Sequence, residues 1–282
     1  MVPAPFEYQR PKTLDEAIAL LSQNEDSKIL AGGHSLVPAM KLRLAQPKTV
    51  IDISRLSDLS YIRDTGDTIA IGAMTTHFDL ESSSVLRQKC ALLPEVARQI
   101  GDVQVRNRGT FGGSLVHADP AADWPAAALA LDAEFEIAGP STGRRTVKAT
   151  DFFVEMMQTA VQPNEILCEI RVPVTAKSVA YVKFAQKASG FAIAGVAAVL
   201  DLRNKTVRIG ITGIAPKPYR ATAVEEELNG KDLTAETIRA AATKVIEEAE
   251  PLNDIHASAE FRAHLAQVNC RRALELALAR KP

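Results

Sequence analysis

The run KILA at residues 28–31 leads straight into Gly32, Gly33, His34 and Ser35, and a second apolar run, TVIDI, follows at 49–53. A strand, a glycine turn, a short helix over 38–44 and another strand make a β–α–β unit, which favours parallel pairing. Ahead of it, TLDE at 13–16 reads as a capping box for a helix with Ala17, Ile18, Leu20 and Leu21 on one face. The parallel start does not continue. Segments 59–63 and 68–72 flank the polar turn DTGD and predict an antiparallel hairpin. Helical patterns cover 76–81, 84–100 and 123–131, and strands are expected at 134–138, 145–148 and 165–172. This is an α+β pattern ending near residue 173, with a linker over 173–178. Beyond it, 180–186, 192–202 and 206–213 predict a three-stranded antiparallel sheet, and 221–228, 235–249 and 259–279 predict helices packed on it.

Glycine after a strand lets backbone N–H groups approach an anion with no Cβ in the way, and the next helix start adds partial positive charge. The first pair, in KILAGGHSLVP, has this form, although strand-to-helix turns often need glycine for steric reasons alone. The same ingredients recur at Thr110, Phe111, Gly112, Gly113 and Ser114. Two such loops can bracket the two phosphates of a dinucleotide. No GxGxxG follows the first strand and no GxxxxGK[ST] occurs, which disfavours Rossmann and P-loop nucleotide sites. His117, Asp119 and Asp123 offer metal-ligand or acid–base chemistry, but the other histidines are scattered and complete no set. Asp123 precedes Trp124 and Pro125, so helix capping is its simpler role, and Asp119 is expected to face solvent. A Ser–His–Asp hydrolase lacks its GxSxG elbow.

Composition narrows the class. A net charge of −1 supplies no global field for nucleic acid or anionic membrane. The longest apolar runs fall short of the ~20 residues that span a bilayer, and MVPAPFEYQRPKT carries no apolar signal core behind a basic start. Cys90, Cys168 and Cys270 stand alone without a CxxC, so neither zinc nor an iron–sulfur cluster is expected on this chain, and a reduced cytoplasmic setting is.

In order along the chain, AGGHSLVPAMKLR, VIDIS, IGAMTTH and QVRNRGTFGGSLVHADPAADWP resemble the FAD-binding medium subunit of the molybdenum hydroxylases. The carbon monoxide dehydrogenase type is the nearest in pattern, and xanthine dehydrogenase carries a similar FAD domain. The resemblance runs the full length of the chain. It implies a two-subdomain FAD-binding domain of the vanillyl-alcohol oxidase (PCMH) type over 1–175, divided at about 56/57, and a CO dehydrogenase flavoprotein-like C-terminal domain over 176–282. It places Ala31, Gly32, Gly33, His34, Ser35 and Leu36 in the first pyrophosphate loop, and Thr110, Gly112, Gly113 and Ser114 in the second. Asp123 falls on an aspartate that contacts FAD, while Ile100, Leu167 and Lys187 fall near the flavin, with Tyr181 a further neighbour of the ring. Ser114 departs from the asparagine common in the family, exchanging an amide for one hydroxyl, and Phe111 replaces an aliphatic residue.

What the resemblance implies about function is an electron-transfer subunit with no catalytic acid or base of its own. Substrate would be hydroxylated at a molybdenum–pterin centre in a large partner subunit. Electrons would pass through two [2Fe–2S] clusters in a small partner subunit to FAD here, in a cytoplasmic dimer of heterotrimers. A stand-alone FAD-dependent oxidase or reductase is the alternative, and a non-enzymatic nucleotide-binding module a third reading.

Overall fold

The computed structural model describes residues 1–175 and 178–280; Ala176 and Lys177, in the expected linker, and Lys281 and Pro282 lie outside the described residues. The chain opens with β1 (Glu7–Gln9), α1 (Leu14–Gln23), β2 (Ser27–Leu30), α2 (Leu36–Lys41) and β3 (Thr49–Asp52). β3 lies in the middle, parallel to both neighbours. The β2–α2–β3 crossover therefore forms as the sequence predicts. β1 was not legible, because all three of its residues are exposed and carry no apolar alternation. At the start of α1, Thr13 accepts the N–H of Glu16, whereas the Glu16 carboxylate takes the N–H of Lys12, one residue ahead of the cap.

β4 (Ile62–Asp64) and β5 (Thr68–Gly72) make the hairpin, and six short helices follow: α3 (His77–Ser82), α4 (Ser84–Lys89), α5 (Leu92–Arg98), α6 (Val103–Arg108), α7 (Phe111–His117) and α8 (Trp124–Ala130). Then come β6 (Glu134–Gly139), β7 (Gly143–Lys148), α9 (Ala149–Phe152), β8 (Phe153–Glu155), β9 (Gln158–Thr159) and β10 (Ile166–Pro173). Five of these strands form an antiparallel sheet in the order β4-β5-β10-β6-β7. The helical pattern over 84–100 breaks at Cys90 because Pro94 lacks an N–H for the Cys90 carbonyl and its ring would strike it.

One sheet face, through Ile69, Ile71, Phe135, Ile137 and Ile170, packs against Leu80, Leu93, Val96, Phe111, Leu115 and Trp124 of the helices. The other meets the first unit, where Met74, Ala138, Ile166 and Cys168 cover Ala17, Ile18, Leu21 and Ile51. Each large aliphatic side chain so buried contributes about 1.5–3 kcal/mol.

The rest comprises β11 (Val179–Ala185), β12 (Ala192–Asp201), β13 (Thr206–Thr212), β14 (Tyr219–Arg220), α10 (Thr222–Leu228), α11 (Ala235–Ala242) and α12 (Ala259–Ala279). The antiparallel sheet has four strands where the sequence predicts three, the fourth being only two residues long. α11 stops at Ala242, short of the helix expected to 249. On β12, Ala194, Val196, Ala198 and Leu200 face the C-terminal helices, while Ala197 and Val199 face the first core. Buried on both sides, the strand reads as an unbroken apolar run. α8 is the shared layer. Every residue of WPAAALA is buried, and Gly210 of β13 lies so close that a Cβ there would stand 1.9 Å from the Ala126 carbonyl oxygen.

Candidate functional site: two glycine turns and a buried carboxylate

The first glycine turn leaves β2 at Leu30 and enters α2. Gly33 has φ +79°, a left-handed conformation that a side chain strains. Among the described residues, the N–H groups of Gly33, His34, Ser35 and Leu36 donate to no protein acceptor. The Ser35 hydroxyl caps nothing either. Four successive donors and a hydroxyl are thus free at a bend where an anion can sit.

The second turn is not a loop but the start of α7, and its donors are already used. Thr110 is the N-cap and accepts the Gly113 N–H at 3.1 Å. Phe111 N–H donates to the Thr75 carbonyl at 2.9 Å, and Gly112 N–H to that of Ala73 at 2.8 Å. His77 N–H returns a bond to the Gly109 carbonyl at 3.0 Å. Residues 73–77, from the stretch IGAMTTH, therefore act as a rail on which 109–112 lies. A Cβ on Gly112 would stand 2.5 Å from that of Ala73. What the second turn offers a ligand is the positive end of a helix, the Thr110 and Ser114 hydroxyls, and the absence of side chains. Phe111 points away into the core, its ring 4.6 Å from that of Trp124.

The two turns touch. A Cβ on Gly32 would land 2.1 Å from the Arg108 carbonyl oxygen and 2.8 Å from Gly109 Cα, and one on Gly113 would come within 3.4 Å of Ala31 Cβ. The structure brings Ala31, Gly32, Thr110 and Gly113 together, and Gly109 joins them. The third glycine of RNRGTFGGS was the available signal.

Asp123 does not cap α8. Its backbone is already helical and its side chain makes no capping bond. Instead the buried carboxylate accepts the Tyr181 phenol at 2.5 Å and the Lys183 ammonium at 2.9 Å. The Lys183 side chain is itself 1% exposed and also donates to the Gln99 carbonyl at 2.8 Å. Burial pushes the Asp123 carboxyl up, and the Lys183 charge and the two donors pull it back. Burial and the neighbouring Asp123 together hold the Tyr181 phenol well above its ordinary range. Gly195 makes room for that phenol, since a Cβ there would stand 2.4 Å from its oxygen.

The connector ahead of Asp123 is bonded into the C-terminal sheet. Gly213 N–H donates to the Pro120 carbonyl at 2.8 Å, Ala192 N–H to that of Ala121 at 3.1 Å, and the Thr212 hydroxyl to that of Ala122 at 2.6 Å. Asp119 accepts the Ala121 N–H at 2.8 Å, a turn role rather than a purely solvent one. Among the described residues no group of three His, Cys, Asp or Glu is placed to hold a metal, and all three cysteines are free and buried.

The remaining candidates come from other elements. Leu167 is 4% exposed, within the core between sheet and helices. Ile100 is half-buried beside Gly101, whose Cα lies 3.7 Å from the Cβ direction of Gly190. Lys187 is exposed in the same β11–β12 turn. The lysine that reaches Asp123 is Lys183, which the sequence reading missed; strand alternation with Tyr181 two residues earlier was its signal.

His77 is buried, and its Nδ1 accepts the Trp124 indole N–H at 3.0 Å. Burial, aided by His34 and Arg106, lowers its pKa from 6.5 to about 4. Between those values only the unfolded chain gains the proton, so stability is full above about 6.5 and falls as pH drops towards 4. The expected loss is about 3 kcal/mol across the window. Urea unfolding at neutral pH and at pH near 4 checks it: a His77→Gln variant should lose most of that dependence.

Residues 4–175 match the FAD binding domain in molybdopterin dehydrogenase, and 179–277 match the CO dehydrogenase flavoprotein C-terminal domain. The carbon monoxide dehydrogenase medium chain of Hydrogenophaga pseudoflava is 44% identical over 99% of both chains. The chain belongs to the FAD-binding medium subunits of the molybdenum hydroxylases. Another member of these medium subunits, the nicotine 6-hydroxylase medium subunit of Paenarthrobacter nicotinovorans, is 38% identical over 97% of both chains. The fold is similar as well: a solved carbon monoxide dehydrogenase from Hydrogenophaga pseudoflava superposes with a TM-score of 0.96 at 45% identity, covering 100% of both chains. In this medium subunit, then, a domain built from two glycine turns is joined to a flavoprotein C-terminal domain through the bonded connector ahead of Asp123. No helix among the described residues is long and apolar enough to cross a membrane.

Proposed function

We propose that this chain holds FAD at the junction of its glycine turns and serves as the electron-transfer subunit of a molybdenum hydroxylase complex. The observation that carries the reading is the contact between the turns, with four free N–H donors on one and a helix start on the other. A diphosphate needs donors, partial positive charge and backbone with no Cβ, and the residues present supply all three. When bound, FAD exchanges single electrons with a cluster and pairs with a terminal acceptor.

Gly33, His34, Ser35 and Leu36 would hold the diphosphate through their N–H groups; Thr110 and Ser114 would add hydroxyls, while Gly112 lets the second turn lie against Ala73 and Gly113 leaves the gap to Ala31 clear. Asp123, fixed by Lys183 and Tyr181, would help to hold the cofactor. Ile100 and Lys187, which flank the Gly101–Gly190 approach, border the flavin, and Leu167 supports it from the core. Residues 1–175, as subdomains of about 1–56 and 57–175, form the cofactor domain, and 176–282 close it. Partners are a large molybdenum–pterin subunit and a small [2Fe–2S] subunit, in a cytoplasmic dimer of heterotrimers.

Titration of the full-length apoprotein with FAD tests the reading: one equivalent should bind and give a flavin spectrum, and the cofactor should be released on denaturation. Failure to bind overturns it. Isolation from the native source should yield iron, molybdenum and two further chains. A lone chain that oxidises an organic substrate would favour an independent oxidase.

A further inference from the structure

The geometry points to His77 as a positioning residue that holds the two glycine turns in contact, a role that rests on the FAD reading above. Its imidazole fills the side of Gly109 where a Cβ would project: that Cβ would stand 2.7 Å from Nε2 and 2.8 Å from Cδ2. Close by, the Cβ direction of Gly32 ends 2.8 Å from Gly109 Cα. Gly109 is thus hemmed in by the imidazole and the first turn, and glycine is the residue that permits both approaches.

The ring cannot rotate freely. Its backbone N–H holds the Gly109 carbonyl at 3.0 Å, and Nδ1 accepts the Trp124 indole N–H at 3.0 Å. That acceptor role leaves the proton on Nε2, the atom facing Gly109. Trp124 adjoins Asp123, so one side chain ties the second glycine turn, and through it the first, to the segment carrying the buried carboxylate. The IGAMTTH stretch thereby acquires a purpose that neither glycine pair explains.

The test uses the full chain, with three readouts: FAD dissociation constant, apoprotein melting temperature and the indole N–H resonance. Removing the wedge in His77→Ala should raise the dissociation constant about tenfold or more. An Ile238→Ala variant, a cavity in the distant C-terminal core, should lower the melting temperature and leave FAD affinity unchanged. His77→Gln, with comparable reach and an acceptor, should recover most of the affinity. The chain has one tryptophan, so a single indole resonance should shift when FAD is added to the wild type.

A His77→Ala dissociation constant within twofold of wild type, or an indole signal unmoved at saturating FAD, overturns the role. Should that variant not accumulate folded, Trp124→Phe, which releases the ring, carries the same expectation and the same refutation. A wild-type chain that binds no FAD would instead remove the parent reading.

Discussion

Replacing Gly32 by alanine should abolish FAD retention. The new Cβ would lie 2.1 Å from the Arg108 carbonyl oxygen, and the obstructing atoms are backbone on both sides, with no flexible side chain to yield. Relief requires moving one turn by more than an ångström, which separates the free N–H groups of Gly33–Leu36 from the start of α7. Affinity should fall by roughly a hundredfold or more, equivalent to about 3 kcal/mol of lost binding. Gly143→Ala is the control. That residue has φ +60° but nothing within 4 Å, so alanine there costs about 1–2 kcal/mol of strain and leaves binding intact. Equal FAD affinities for Gly32→Ala and wild type would show that the contact between the turns is irrelevant to the cofactor.

Lys183→Met should destabilise the fold by about 3–5 kcal/mol, because it strands a carboxylate that lies almost wholly out of water. Methionine occupies similar volume, so the loss reports the missing charge and its bond to the Gln99 carbonyl rather than a cavity. Adding Asp123→Asn should recover a large part of the loss, since the remaining group is then neutral and still accepts from Tyr181. Denaturant unfolding of the four proteins in a double-mutant cycle measures the coupling. A single-variant cost below about 1 kcal/mol, the range of exposed pairs, would mean that water reaches Asp123 after all.

Local chemistry made much of the fold readable. The β2–α2–β3 crossover, the β4–β5 hairpin and the strands of the C-terminal sheet follow from apolar runs punctuated by glycine and polar turns. α7 did not, because adjacent glycines in FGGSLVH each cost about 1 kcal/mol in an isolated helix. The fold overrides that cost by laying Gly112 against Ala73 and drawing Phe111 and Leu115 into the core. The two turns were readable as a pair, since each carries glycine beside hydroxyls. Asp123 was misread as a cap for a physical reason. Capping is decided within four residues, whereas its partners Tyr181 and Lys183 come from a strand on the far side of α8. Lys183 was missed as the partner of Asp123 because sequence alone does not say which lysine of β11 and its turn points inward.

The bonds from Gly213, Ala192 and Thr212 to residues 120–122 bear on how such proteins can be recombined. The segment leading to Asp123 is clamped by two main-chain N–H groups and one hydroxyl from the other half, so the chain's apparent modularity stops at this seam. A chimera joining one relative's first 175 residues to another's remainder would import the clamp's spacing along with it. Grafts that alter the β12 start or the β13 end should therefore retune the cofactor's surroundings even when every glycine is untouched.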